Sequence, residues 1–209
     1  MTLLLALVRH GVTDWNEQGR LIGRSEIGVN ERGQTQAHAI ADALAGLRLD
    51  ALLASPQRRA QQTAAAIAAA QGLSVVTEPA LAEVWVGRWQ GKTYDELRGD
   101  PDAIRYAADG THVCAAVEDA ASVQRRVVGV LERLRDGSRG SQVCLVSHGD
   151  PIRLLLSHCL GADLGTFRRL HVKPGSLSLV RVGARGAHVL SVNWLPSGEG
   201  GAVPPLWER

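Results

Sequence analysis

Apolar runs and amphipathic stretches alternate along this chain from its first residues. Residues 3–8 are apolar at every position, which predicts a strand buried on both faces, with Arg9 and His10 at its carboxyl end. A second run, residues 142–146, has the same character and delivers Ser147, His148 and Gly149 to a turn. Asp150 is then expected as a helix N-cap, with Pro151 at the first helical position. In open α/β sheets, ligands bind in the crevice outside the carboxyl ends of the strands. If both strands run parallel in one sheet, His10 and His148 meet at that edge.

Between these strands the hydrophobic period changes repeatedly. A helix is predicted from Asn30 to about Leu44, with Ala37, Ile40, Ala41 and Leu44 on one face and Gly46 as its stop. Residues 49–54 read as a strand ended by Ser55-Pro56. An alanine-rich helix over 57–71 closes at Gly72, and a strand at 73–77 follows. Residues 84–117 are less regular and hold Trp85, Trp89, a short helix opened by Thr93 with Glu96 three residues on, and Pro101. A loop region of this length in a compact domain is commonly functional. A helix over 118–135, the His148 strand, the helix after Pro151, and strands at 177–182 and 187–192 complete the alternation. The expected fold class is α/β, a three-layer α/β/α sandwich with a mainly parallel central sheet. It forms one domain over residues 1–195, with a loose tail at 196–209.

Composition narrows the function classes. The chain has 209 residues, 45% hydrophobic and 21% charged, with a formal net charge of +2, enough to bury a sizeable core and too balanced to present a nucleic-acid footprint. The apolar start lacks a basic leader and a small-residue cleavage site, and no run approaches the roughly 20 residues of a membrane span, so the cytoplasm is the expected location. Three cysteines, Cys114, Cys144 and Cys159, show neither paired spacing nor an even count, which argues against a disulfide framework or zinc site.

Two further segments carry chemistry. In Ser55-Pro56-Gln57-Arg58-Arg59 a strand end turns into a helix start, and Arg59 falls in the first turn, where free backbone N–H groups and the helix dipole already favour an anion. Together they make a phosphate seat. Leu81-Ala82-Glu83 places a carboxylate after a strand. Close to two arginines and two histidines, Glu83 would have a shifted pKa and could donate or accept a proton.

Taken together, these residues resemble the histidine phosphatase superfamily, the phosphoglycerate-mutase-like or "RHG" enzymes, over almost the whole chain. Arg9-His10-Gly11-Val12-Thr13-Asp14-Trp15-Asn16 looks like the nucleophile motif of that family. Ser55-Pro56 with Arg59-Ala60 and Thr63-Ala64 is similar to its second motif. Leu81-Ala82-Glu83 with Gly87-Arg88-Trp89-Gln90-Gly91 is similar to its acid motif, and Val146-Ser147-His148-Gly149 with Ile152-Arg153 to its second histidine motif. The resemblance implies an α/β/α sandwich and transient phosphorylation of His10. It implies that Arg9, Arg59 and His148 hold the phosphoryl oxygens, that Glu83 is the general acid and then the base, and that Asn16, Thr13 and Gly149 lie near the phosphate. The chemistry is consistent on its own terms. A neutral imidazole is a competent phosphoryl acceptor when its other nitrogen is pinned. Arginine binds phosphate bidentately and stays charged, and catalysis of this transfer is mostly positioning and electrostatics. No metal and no cofactor are expected, because fixed cations are plentiful and no carboxylate cluster is evident.

The chain departs from the family pattern in places. Asp150 stands where a second glycine or small residue is common, Gln90 where glutamate is frequent, Val117-Glu118-Asp119 where glycine-glutamate-serine is usual, and Lys173-Pro174-Gly175-Ser176 differs from the commoner turn. Glu83 and His148 are 65 positions apart (83 to 148), which resembles the short phosphatase branch, since a mutase of this family uses a longer basic insertion there. The leading expectation is a metal-independent phosphatase acting on a small phosphorylated metabolite, in the manner of α-ribazole or broad-specificity sugar-phosphate phosphatases. The alternatives are a cofactor-dependent phosphoglycerate mutase and a non-catalytic phosphate-binding module. Neither nucleic acid nor membrane is expected as a partner, and a homodimer is the candidate assembly. Residues 84–117 are expected to form a small lid, with Arg88, Lys92, Arg98, Arg105 and His112 as candidate substrate contacts. Trp15, Trp85 and Trp89 read as packing residues, and His38, His158, His171 and His188 as structural or solvent-facing.

Overall fold

The computed structural model describes residues 2–108, 110–112, 114 and 117–196, so residues 197–209 of the expected tail lie outside it. Its centre is a six-stranded sheet. The strands are β1 (Leu3–Arg9), β2 (Ala51–Ala54), β3 (Val75–Thr77), β4 (Gln142–Ser147), β5 (Leu177–Gly183) and β6 (Gly186–Trp194), in the order β3-β2-β4-β1-β5-β6. The first four are parallel to their neighbours, while β5 pairs antiparallel with β1 and β6 antiparallel with β5. The mainly parallel sheet expected from the sequence is therefore present, with an antiparallel edge.

Side-chain alternation along the strands makes the two outer layers visible in the packing. Leu3, Leu5 and Leu7, Val143 and Leu145, and Val180 and Val182 face one side. There they meet α5 (Ala120–Leu134) through Val127, Val130 and Leu131, and α6 (Gly149–Cys159) through Ile152, Leu155 and Leu156. Ala6 and Val8, Leu52 and Ala54, and Cys144 and Val146 face the other side. They pack on α2 (Glu31–Leu44) through Ile40, Ala41 and Leu44, and on α3 (Arg58–Gln71) through Ala60, Ala64 and Ile67. Burial on both faces explains why β1 and β4 read as continuous apolar runs rather than alternating ones.

The irregular stretch has a small core of its own, in which Val84, Val86, Trp89 and Leu97 pack with Val123, Leu154 and Phe167. The short helix expected from Thr93 is absent. Thr93 and Glu96 do form reciprocal backbone bonds, Glu96 Oε2 accepting from the Thr93 N–H at 2.7 Å and Thr93 Oγ1 from the Glu96 N–H at 3.2 Å. What they close is a run of turns, cut off by Gly99 and Pro101. A helix that the sequence reading missed, α4 (Pro101–Ala108), begins instead at Pro101, with Asp100 Oδ1 accepting from the Asp102 and Ala103 N–H groups. Asp-Pro is a recognisable start signal, and it outweighed the Thr93 signal because proline suits the first helical position.

The one-turn helix α1 (Asp14–Glu17) follows β1. Gly11 crosses the start of α2 so closely that a Cβ there would collide with the Gly33 carbonyl, and one on Gly33 with the Val12 carbonyl. Both obstacles are backbone and cannot rotate aside. Gly11→Ala is therefore expected to lower unfolding stability by roughly 1–3 kcal/mol, read as a lower midpoint in urea denaturation. Wild-type stability in that variant would show that the crossing is not tight.

Candidate active site

β1 and β4 pair residue for residue, with Arg9 opposite Ser147. The next residue of each strand is a histidine, and the two rings stand 5.1 Å apart, tilted by 58°. Both rings are buried. His10 Nδ1 lies 2.8 Å from the Gly11 carbonyl oxygen and Nε2 lies 3.2 Å from Arg59 Nε. A carbonyl only accepts and a guanidinium only donates, so the proton sits on Nδ1 and the lone pair on Nε2. Burial first, then the neighbouring Arg59 and Arg9 charges, hold the pKa of His10 well below 6.5, which keeps that lone pair available.

His148 is fixed from the opposite side. The Glu83 N–H donates to Gln57 Oε1 at 3.2 Å, and the Ser55 hydroxyl donates to the same oxygen at 2.6 Å. With that proton committed, His148 Nε2, 2.6 Å from Ser55 Oγ, must be the donor in their contact. His148 Nδ1 is buried without a hydrogen-bond partner among the described residues. Burial lowers the pKa of this ring as well, reinforced by Arg59.

The cations flank these rings. Arg59 is fully buried, its Nη1 bonded to the Ser25 carbonyl at 2.9 Å and its Nη2 to the Gly23 carbonyl at 2.8 Å. Burial pulls its pKa down to about 10, against the opposing attraction of Glu83. Arg9 donates through Nη1 to the Val172 carbonyl at 2.6 Å, while its Nε has no partner among the described residues. Arg9, His10, Arg59, Glu83, Asn16 and Gly149 line one cavity of about 160 Å³. A Cβ on Gly149 would meet the Arg9 guanidinium at 3.4 Å, an ordinary contact.

Glu83 is displayed by its backbone. Arg24 Nε donates to its carbonyl at 2.9 Å and Arg126 Nη2 at 3.4 Å, while Glu118 binds both arginines, at 2.9 and 3.0 Å. The carboxylate itself accepts from the Val84 N–H at 2.9 Å. Burial and the nearby Asp150 raise its pKa above the usual 4.5, with that N–H, Arg59 and Arg9 opposing.

Six of the eight residues singled out from the sequence thus share the cavity wall, and His148 lies in ring contact with His10. Thr13 is placed differently. It is fully buried, and its hydroxyl accepts from the Asn16 N–H at 3.2 Å as the N-cap of α1. It holds Asn16 at the wall without lining the wall itself. Asp150 is also not a cap. α6 begins at Gly149 with His148 as N-cap, so Pro151 sits third, where its missing N–H is still one of the unpaired four. The Asp150 side chain instead lines the cavity and accepts from Arg153 Nη1 at 2.7 Å. Of the five candidate contacts from the irregular stretch, Arg88 pairs with Asp100 and Asp102, and His112 lies 3.8 Å from Asp102. None of the five lines the cavity. Sequence reasoning missed Ser55, Gln57, Arg24, Glu118 and Arg126 as supports and Arg20 and Tyr94 as wall residues. Signals existed for Ser55 and Gln57, which sit in the strand-to-helix segment ahead of Arg59, and for Glu118, which sits in Val117-Glu118-Asp119.

Among the described residues no group of three or more His, Cys, Asp and Glu side chains is placed to hold a metal ion, and no helix is long and apolar enough to cross a membrane. The family model of the histidine phosphatase superfamily (branch 1) matches residues 5–195. The chain belongs to the histidine phosphatase superfamily. Membership assigns it to the phosphoric monoester hydrolases. Phosphoserine phosphatase 1 of Hydrogenobacter thermophilus is 33% identical over 192 residues, covering 90% of this chain and 91% of the relative. A protein named "Probable phosphoglycerate mutase" from Yersinia pestis is 35% identical over 181 residues, covering 85% and 84%. The solved structure of a mycobacterial glucosyl-3-phosphoglycerate phosphatase with VO3 superposes with a TM-score of 0.85 at 26% identity, over 93% of this chain and 100% of that one. The α/β/α sandwich of the superfamily is the fold described above.

Proposed function

We propose that this histidine phosphatase hydrolyses a small phosphomonoester without a metal, through a phosphohistidine at His10. The supporting observation is the state of the His10 ring, a neutral buried imidazole with its proton bound to Gly11 O and its lone pair turned toward Arg59. An incoming phosphoryl group meets Nε2 between the Arg9 and Arg59 guanidiniums, which stabilise charge on the equatorial oxygens; His148, its Nε2–H given to Ser55, joins them as a donor once Nδ1 takes up a proton beside the bound anion. Asn16 and the Gly149 N–H at the first position of α6 complete the anion seat. Glu83, whose carboxyl holds its proton more tightly because burial and Asp150 disfavour its charge, gives that proton to the leaving alkoxide. Once ionised, it takes one from the water that attacks phosphohistidine. One domain spans residues 1–195, and its 84–117 segment is a lid.

Hydrolysis is favoured over phosphoglycerate isomerisation by the short segment between Glu83 and His148, whose arginines Arg88 and Arg98 are already paired with aspartates. Lys92 and Arg105, which also lie in that segment, do not line the cavity. The expected result is release of inorganic phosphate from p-nitrophenyl phosphate in the presence of chelator, with no isomerisation of 3-phosphoglycerate primed by its bisphosphate. Isomerisation outpacing phosphate release would replace this reading by the mutase one. Tight phosphate binding with no turnover would leave a binding module.

A further inference from the structure

A second and larger cavity, about 600 Å³, opens beside the phosphate seat under α4. Leu21, Val86, Tyr94, Asp150 and Arg153 line both cavities, so an ester held at His10 directs its leaving group into the larger one. The walls of that chamber are chiefly apolar, with Trp89, Leu97, Ala103, Ile104, Tyr106 and Ala107 among them. Its charges are largely spoken for. Arg153 is paired with Asp150 at 2.7 Å and Arg98 with Asp95 at 2.8 Å, and the Arg168 guanidinium lies 4.3 Å over the Tyr106 ring. A serine- or glycerol-sized alcohol would leave most of this space filled with water against aromatic walls, which is unfavourable.

We infer, building on the phosphatase reading above, that the substrates are phosphomonoesters of alcohols with a bulky apolar or aromatic body, and that this body fills the chamber. The selectivity lies in burial of apolar surface, of which a phenyl group supplies a large share.

The test compares 2-phenylethyl phosphate with ethyl phosphate. Both expel a primary alkoxide, so the chemical step is matched and the ratio of kcat/KM values reads the chamber. A ratio of roughly ten or more is expected, since only part of the transfer free energy of a buried ring survives the cost of immobilising it. The ratio falls in Ile104→Asp, a change the fold tolerates because Ile104 is 53% exposed on α4, and in Ala103→Trp, which fills the space. Inhibition constants of the two matching phosphonates give the same comparison without turnover. Equal kcat/KM values for the two esters overturn the chamber alone. If neither ester is hydrolysed, the phosphatase reading fails and the inference falls with it.

Discussion

In His10→Ala, kcat/KM for phosphomonoesters is expected to fall by roughly 10⁴-fold or more, the scale seen when a nucleophile is removed from a site whose other parts remain. No other group in the cavity can replace it. His148 does not line the cavity, and the thiols do not reach its wall: Cys144 is buried in the sheet core, and neither Cys114 nor Cys159 lines the cavity. Brief reaction of the wild type with radiolabelled substrate should leave an acid-labile, base-stable label that the variant lacks. Stability should change in a particular direction with pH. The pKa of His10 lies below 6.5 in the folded state and near 6.5 in the unfolded chain. Between those two values the unfolded state therefore binds more protons, and wild-type stability rises with pH. Above about 6.5 the term is constant. His10→Ala removes its share, so the wild type should lose stability faster than the variant as the pH drops below that value. A variant within tenfold of wild-type activity, or one that still takes up the label, would show that His10 is not the phosphoryl acceptor.

The strands that carry both histidines were legible because they are apolar at every position, a pattern that only double burial requires. That they are adjacent and parallel was an assumption, and the register of β1 on β4 supplies it. Arg59 could be placed because a Ser-Pro strand end followed by a helix start restricts what its first turn can do. The scaffolding of Glu83 was illegible for a different reason. Arg24, Glu118 and Arg126 lie 59, 35 and 43 positions from Glu83 in sequence, two of them holding its carbonyl and the third holding those two, and no local period reports a contact of that range. Asp150 was misread for lack of one fact. Asp-Pro is a strong helix start in isolation, and only the extended conformation of His148 shows that the helix begins two residues earlier and turns the carboxylate toward Glu83. The same residue pair at 100–101 does start a helix, which shows how the preceding chain, rather than the dipeptide, decides.

Asp150 also shapes the second large effect. Glu83→Gln is expected to cost roughly 10²- to 10⁴-fold in kcat/KM for an alkyl phosphate, the range for a lost general acid, and much less for p-nitrophenyl phosphate, whose leaving group departs without a proton. Because the same carboxylate serves as base in the second step, phosphohistidine should accumulate in the variant when the first step is made easy. In the wild type, kcat/KM for the alkyl ester needs neutral His10 and protonated Glu83. It should therefore rise with pH through the lowered His10 pKa and fall again through the raised Glu83 pKa. In Glu83→Gln the falling limb disappears. The negative charge of Asp150 disfavours ionisation of Glu83, second only to burial among the causes that raise its pKa. Asp150→Asn removes that charge and releases Arg153, whose cation acts in the same direction, so the falling limb should move to lower pH. A falling limb that survives in Glu83→Gln would mean that another group carries the proton. A limb unmoved in Asp150→Asn would mean that burial alone sets the acidity of Glu83.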